Sequence, residues 1–244
     1  MAERGTIITD KKILLVDIEW RPTKAYVWQP WKENITPEKI IEHGGLLCVG
    51  AKWYGEKETY IFAEWALGHE EMLRHTYNML VEADAVITYN GDKYDLPKLA
   101  GEFLLYNIGP MPPLTSIDCL KAVKKFGFFM NRLAFVGPFL NLGSKLEHEG
   151  MKLWTKVIDG DAKAQARMAK YCAQDVKLLE RLYRMINPYI KNHPHIGSDN
   201  PLLCPNCGSH EIQNRGFRRT KTFKIQRRQC TSCGAWHDGT RTKI

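Results

Sequence analysis

Three short clusters hold the side chains that could do chemistry: Asp17-Ile18-Glu19, Asn90-Gly91-Asp92-Lys93-Tyr94-Asp95 and Tyr171-Cys172-Ala173-Gln174-Asp175. The first ends an apolar, β-type run, Ile13-Leu14-Leu15-Val16. Alternate residues of a strand share a face, so Asp17 and Glu19 point the same way. The third lies in a helical stretch, where positions i and i+4 are neighbours, so Tyr171 and Asp175 also share a face. Carboxylates that converge from separate elements repel and raise one another's pKa. Cations relieve that repulsion, and oxygen-rich sites favour Mg²⁺ or Mn²⁺. Paired ions of this kind hydrolyse phosphodiesters.

The elements that must position these residues read as α/β. Strands are expected near 12–19, at 24–28 (Lys-Ala-Tyr-Val-Trp), 46–53 and 58–62. A helix follows from Gly68-His69 to about residue 83, with Met72, Leu73, Met79 and Leu80 as its apolar stripe. Ala85–Tyr89 is a short buried strand running into the second cluster. Pro97 then falls in the first turn of a helix to about Tyr106, where proline is tolerated. After a strand near 114–118 come helical pieces and a last helix from about Asp161 to Met185, ended by Asn187-Pro188. Residues 191–201 are polar, carry Pro and Gly, and read as a linker between a first domain, 1–190, and a small module, 202–244.

That module contains two matched knuckles, Cys204-Pro-Asn-Cys207-Gly208 and Cys230-Thr-Ser-Cys233-Gly234. Each brings two thiolates to one metal, and four thiolates give a closed, structural Zn²⁺ site. The segment between them could form a hairpin, so the module looks like a zinc ribbon with one Zn²⁺. A module this small has little core, and its metal would supply much of its stability. His210 and His237 are alternative donors, but four cysteines suffice. Arg215, Arg218, Arg219, Lys221, Lys224, Arg227 and Arg228 lie between the knuckles and suit phosphate contact. Phe217 and Phe223, among them, read as small-core residues.

The three clusters together resemble the 3′–5′ exonucleases of the DEDD superfamily, in the tyrosine-bearing branch that includes the proofreading domains of family B DNA polymerases. The shared pattern is acidic-x-Glu on the first strand, Asn-x-x-x-aromatic-Asp, and Tyr-x-x-x-Asp on a late helix, over the first three-quarters of the chain. The resemblance implies a ribonuclease-H-like five-stranded mixed sheet flanked by helices. It selects Asp95 over Asp92, which is left as a solvated turn residue. It implies two Mg²⁺ or Mn²⁺ held by Asp17, Glu19, Asp95 and Asp175, with Asp17 shared, and Tyr171 orienting the attacking water. The histidine-bearing branch would need His where Lys170 stands. Trp20 departs from the small residue common after the Glu; with Asn90 it is expected to face the nucleic acid. RNA trimming, endonucleolytic cutting on the same fold and an inactive nucleic-acid-binding adaptor are the competing readings.

Without the resemblance, single residues read more blandly: Tyr171 as a core aromatic, Asp95 as a helix N-cap, Asp118 as structural. His69 and His75 are six apart, about 240° around a helix, so they cannot share a metal. The 244 residues carry 35 Lys+Arg and 27 Asp+Glu, a net charge of +8. Residues 200–244 hold nine basic and two acidic residues, while the first 199 are nearly balanced at 26 and 25. Such asymmetry points to a polyanion partner. No run reaches the roughly 18 apolar residues of a membrane helix, and no apolar leader is present, so a cytoplasmic protein with reduced cysteines is expected. Cys48, Cys119 and Cys172 read as small core residues. A bacterium or bacteriophage is a plausible source, and a separate replication or repair protein a plausible partner.

Overall fold

The computed structural model describes residues 9, 11–190 and 193–244. Its centre is β1 (Ile13–Arg21), whose apolar start, Ile13 to Val16, is at most 2% exposed. The chain then makes a small pair outside the main sheet, β2 (Lys24–Ala25) with β3 (Ile40–Glu42), and returns as β4 (Gly45–Trp53) and β5 (Tyr60–Ala63). Helices α1 (Glu64–Leu67) and α2 (His69–Glu82) lead to β6 (Ala85–Thr88). After α3 (Asp95–Leu105) and β7 (Thr115–Asp118) come α4 (Cys119–Val123), α5 (Leu133–Phe139), α6 (Met151–Ile158) and α7 (Ala162–Ile186). Three strands close the chain: β8 (Ile212–Arg219), β9 (Phe223–Cys230) and β10 (Trp236–Lys243).

The main sheet is five-stranded and mixed, in the order β5-β4-β1-β6-β7. β1 pairs antiparallel with β4 and parallel with β6. Because side chains alternate, the two faces of β1 feed different cores. Ile13 and Leu15 pack with Val176, Leu179 and Leu182 of α7. Leu14, Val16 and Ile18 pack with Leu73, Leu80, Leu99 and Phe103 from α2 and α3. Burying each such aliphatic side chain stabilises the fold by roughly 1.5–3 kcal/mol. The expected ribonuclease-H-like layering is therefore present.

Helix α7 starts where Asp161 accepts hydrogen bonds from the Lys163 and Ala164 amides, at 2.9 and 3.0 Å, a side-chain N-cap. Its inner face seats so close to β4 that a Cβ on Gly50 would lie 2.9 Å from Cys172 Sγ and from Val176. Only a residue without a side chain permits that approach.

The expected strand at 24–28 is corrected. Only Lys24 and Ala25 are extended in register, with Glu42 and Ile40, and neither joins the main sheet. Tyr26 and Trp28 stand 75% and 94% exposed. β-prone residues make a strand only where a partner edge is available.

Lys191 and Asn192, the start of the segment expected as a linker, lie outside the described residues. The part that follows is tied down. Tyr183 Oη and His193 Nε2 are 2.8 Å apart, and Ile196 joins the core under α7. The Gly197 amide donates to the Pro205 carbonyl at 2.9 Å, and Asn206 Nδ2 donates to Asn187 Oδ1 at 3.0 Å, both side chains buried. Burial pulls the His193 pKa down to about 4, so this histidine stays neutral.

Candidate active site

Asp17 and Glu19 project from the face of β1 that α7 covers, opposite Gly50 and Cys48 of β4. A register shift follows Glu19 and ends regular pairing there. From α7, one turn apart, come Tyr171 and Asp175. Asp95 arrives from the turn after β6, where Asn90 takes a left-handed φ of 70° and its amide donates to Asp118 at 2.8 Å. Asp95 opens α3, and its carboxylate accepts the Ile18 amide at 3.2 Å, which fixes it beside β1. Asp17, Glu19, Asp95 and Tyr171 line one open cleft of about 510 Å³, together with Trp20 and Asn90.

The electrostatics are those of crowded acids. Burial, then Asp95 and Asp175, push the Asp17 pKa well above the carboxylate range, and burial with Asp17 does the same to Glu19. Burial raises Asp95 to about 6 against its backbone hydrogen bonds. Burial raises Asp175 as well, opposed by Lys145. Tyr171 is pushed up by burial and by Asp175, so its hydroxyl stays protonated.

Sequence reasoning did not find Lys145. Its Nζ lies 2.6 Å from Asp175 Oδ2 and 3.3 Å from the Tyr171 hydroxyl. Burial disfavours its charge, but Asp175 and Asp17 outweigh that and hold the ammonium on. It comes from irregular chain, so no periodicity marks it. His148 and Trp154 were missed too; both meet the Tyr171 ring edge-on, at 4.9 and 6.2 Å, and fix its direction. Trp20 does line the cleft, but the Lys98 ammonium sits over its ring at 3.4 Å and covers one face.

Asp92 is not a free turn residue: it accepts from Ser116 and Lys121 and fastens the second cluster to β7 and α4. Asp118 caps α4 through the Leu120 amide at 3.0 Å, the structural role expected for it.

The four C-terminal cysteines converge, with ligand atoms all within 4.8 Å and Cys204–Cys233 and Cys207–Cys230 sulfurs at 3.7 Å. They cap a three-stranded sheet, β10-β9-β8, and the cluster could hold a zinc ion. Phe217 and Phe223 are not core: they are 53% and 39% exposed. A single-layer sheet offers them nothing to pack against, and Phe217 instead carries the Lys224 ammonium at 4.1 Å. Arg218 forms a two-pronged pair with Asp238 at 3.0 and 2.6 Å, and Arg215 and Arg227 bond within the sheet. Arg219 and Lys221 are exposed, and Arg228 bonds Gln226. None of these seven cations lines the acidic cleft.

Residues 41–187 match the ribonuclease H superfamily, and the chain belongs to it. Among solved structures it resembles the family B DNA polymerase of the hyperthermophilic archaeon Pyrobaculum calidifontis, with a TM-score of 0.54 and 14% identity. The match takes in 73% of this chain and 25% of the polymerase, so it concerns the fold of one part of a larger protein. No curated protein matches the sequence. Among the described residues no helix is long and apolar enough to cross a membrane.

Proposed function

We propose that the chain is a metal-dependent 3′–5′ exonuclease, with DNA the favoured substrate and a basic zinc ribbon assisting its binding. The observation that carries the reading is that Asp17, Glu19 and Asp95 line one cleft while Asp175, buried beside them, raises the pKa of Asp17 and Glu19 by its charge. Asp175 is 1% exposed, and its Oδ1 has no hydrogen-bond partner. An orphaned buried carboxylate oxygen beside three raised acids fits a divalent-cation donor set. Asp17 would be shared between two ions, Glu19 and Asp175 would complete one, and Asp95 the other. Mg²⁺ or Mn²⁺ bound there would make hydroxide available near neutral pH and offset charge on the leaving oxygen.

The chain's own groups do the rest. Tyr171, protonated and braced by His148 and Trp154, would donate a hydrogen bond that aims the attacking water. Asp95, fixed by the Ile18 amide, would keep the second half of the acid set in place. Cys204, Cys207, Cys230 and Cys233 would hold one structural zinc, leaving no open position for catalysis. The protein would occupy the first 190 residues with its nuclease domain and 202–244 with the ribbon, in a cytoplasmic setting beside a replication or repair partner.

The test uses strands labelled at either end, with Mg²⁺, Mn²⁺ or chelator, and the Asp17→Ala protein. Stepwise shortening from the 3′ end by wild type and none by Asp17→Ala is expected. Mid-strand cuts, or an Asp17→Ala protein as active as wild type, would overturn the assignment.

A further inference from the structure

Residues 119–145 hold five basic residues, no acidic ones and five phenylalanines. Phenylalanines normally go inside; several of these make a surface. Phe129 is 91% exposed and Phe139 57%. Phe139 meets Phe128 at 5.3 Å and stacks on Phe135 at 5.4 Å, and Phe135 meets Phe129 at 6.4 Å, so the rings form one continuous strip. The strip cannot fold inward, because its own helix is already anchored on the other side. Leu133 and Val136 of α5 are in the core with α7, and a Cβ on Gly137 would lie 2.8 Å from the Gly143 carbonyl and 3.1 Å from Leu178.

The charges are laid along the same stretch. Lys121 and Lys145 are paired with Asp92 and Asp175. Lys124, Lys125 and Arg132 are exposed and meet no carboxylate among the described residues. The stretch also adjoins the cleft twice. Lys145 at its end lines the cleft, and the Asn131 carbonyl in its middle accepts the hydroxyl of Tyr89, another lining residue.

The geometry points to a binding track for one unpaired nucleic-acid strand across this face, with bases stacked on Phe129 and Phe139 and phosphates at Lys124, Lys125 and Arg132. Exposed rings interleaved with unpaired cations suit a strand whose bases are free to stack. A duplex keeps its bases inside and would meet only the cations. An apolar protein surface would use the rings but leave three charges uncompensated. The inference rests on the nuclease reading for where the strand leads, namely to Asp17 and Glu19. It adds the path that an unpaired strand would take to them, along Phe129 and Phe139.

The experiment measures anisotropy of a labelled oligothymidylate, and of a blunt duplex, with chelator present, on the full chain. The variants are Phe129→Ala/Phe139→Ala, which removes the rings, and Lys124→Glu/Lys125→Glu, which keeps them. Both change exposed side chains, and an unaltered thermal transition verifies folding. Each is expected to bind the single strand about tenfold more weakly, and the ring variant to hold the duplex within about twofold of wild type. With Mg²⁺ the ring variant should show a raised KM for the strand and an unchanged kcat. Wild-type affinity of the ring variant for the single strand, or an equal loss for duplex, would overturn the track. If wild type binds through the rings yet cuts nothing with either metal, the nuclease reading falls and the track stands. If wild type cuts and the ring variant binds as wild type does, the track alone falls.

Discussion

Lys145 Nζ donates to Asp175 Oδ2 at 2.6 Å, from 30 residues upstream. A charged side chain from irregular chain thus neutralises part of an acid cluster built on β1 and α7. The ammonium holds Oδ2 and leaves Oδ1 without a partner, so a divalent ion bound through Oδ1 would compete with it for the charge of one carboxylate.

Lys145→Met should therefore bind Mn²⁺ more tightly, by about fivefold for the loss of one partly exposed ion pair. Calorimetry on the apo protein measures it. Weaker binding would mean that Lys145 instead holds the carboxylates in their receiving arrangement.

The acid cluster should make the metal-free protein less stable as pH rises. Asp95 has a folded pKa of about 6 against an ordinary 3.8. The folded state then holds more protons than the unfolded state between those values, so stability falls across about pH 4 to 6. Thermal unfolding in chelator should show that fall, and Asp95→Asn should lessen it, leaving the part that Asp17 and Glu19 carry. Mn²⁺ should restore stability above pH 6. A melting temperature that climbs through this window in chelator, for both proteins alike, would contradict it.

Gly50→Ala tests how closely α7 must approach the sheet. The new Cβ would meet Cys172 Sγ and Val176 at 2.9 Å, and the Cys172 carbonyl at 3.1 Å. Overpacking of this kind costs about 1–3 kcal/mol. Tyr171 and Asp175 are the residues immediately before the two contact residues, Cys172 and Val176, so hydrolysis should fall further than stability does. Denaturant midpoints beside kcat measure both; full activity in a destabilised variant would uncouple the contact from the site.

Cys230→Ser should remove zinc, read as metal per chain by mass spectrometry. Asn206 of the ribbon grips Asn187 at the end of α7. Amide exchange in the last turns of α7 should quicken as well. Unchanged exchange there would show that the ribbon folds and melts alone.

The parts of the fold that were legible are those fixed by local periodicity. Ile13 to Glu19 alternate as a strand, and Tyr171 and Asp175 keep helical spacing; neither reading needed knowledge of the rest of the chain. What was illegible depended on partners. Tyr26 and Trp28 have strand chemistry and no edge to join. Phe217 and Phe223 are apolar but sit on a one-layer sheet with no second layer to cover them. Lys145 belongs to the site only because the loop before α6 crosses it, and nothing adjacent in sequence announces that crossing. Ile196 and His193, in a stretch polar enough to pass for a tether, are buried because Tyr183 and the core under α7 receive them.

The site's acids come from β1, from the opening of α3 and from far along α7, and Asp17 and Cys172, which touch, are 155 positions apart in sequence. A nascent chain still short of its last long helix would have exposed its first carboxylates without the groups that complete them. Cutting ability would then arrive late in synthesis and all at once. On the proposed reading, a ribosome would not carry a half-made enzyme able to cut nucleic acid.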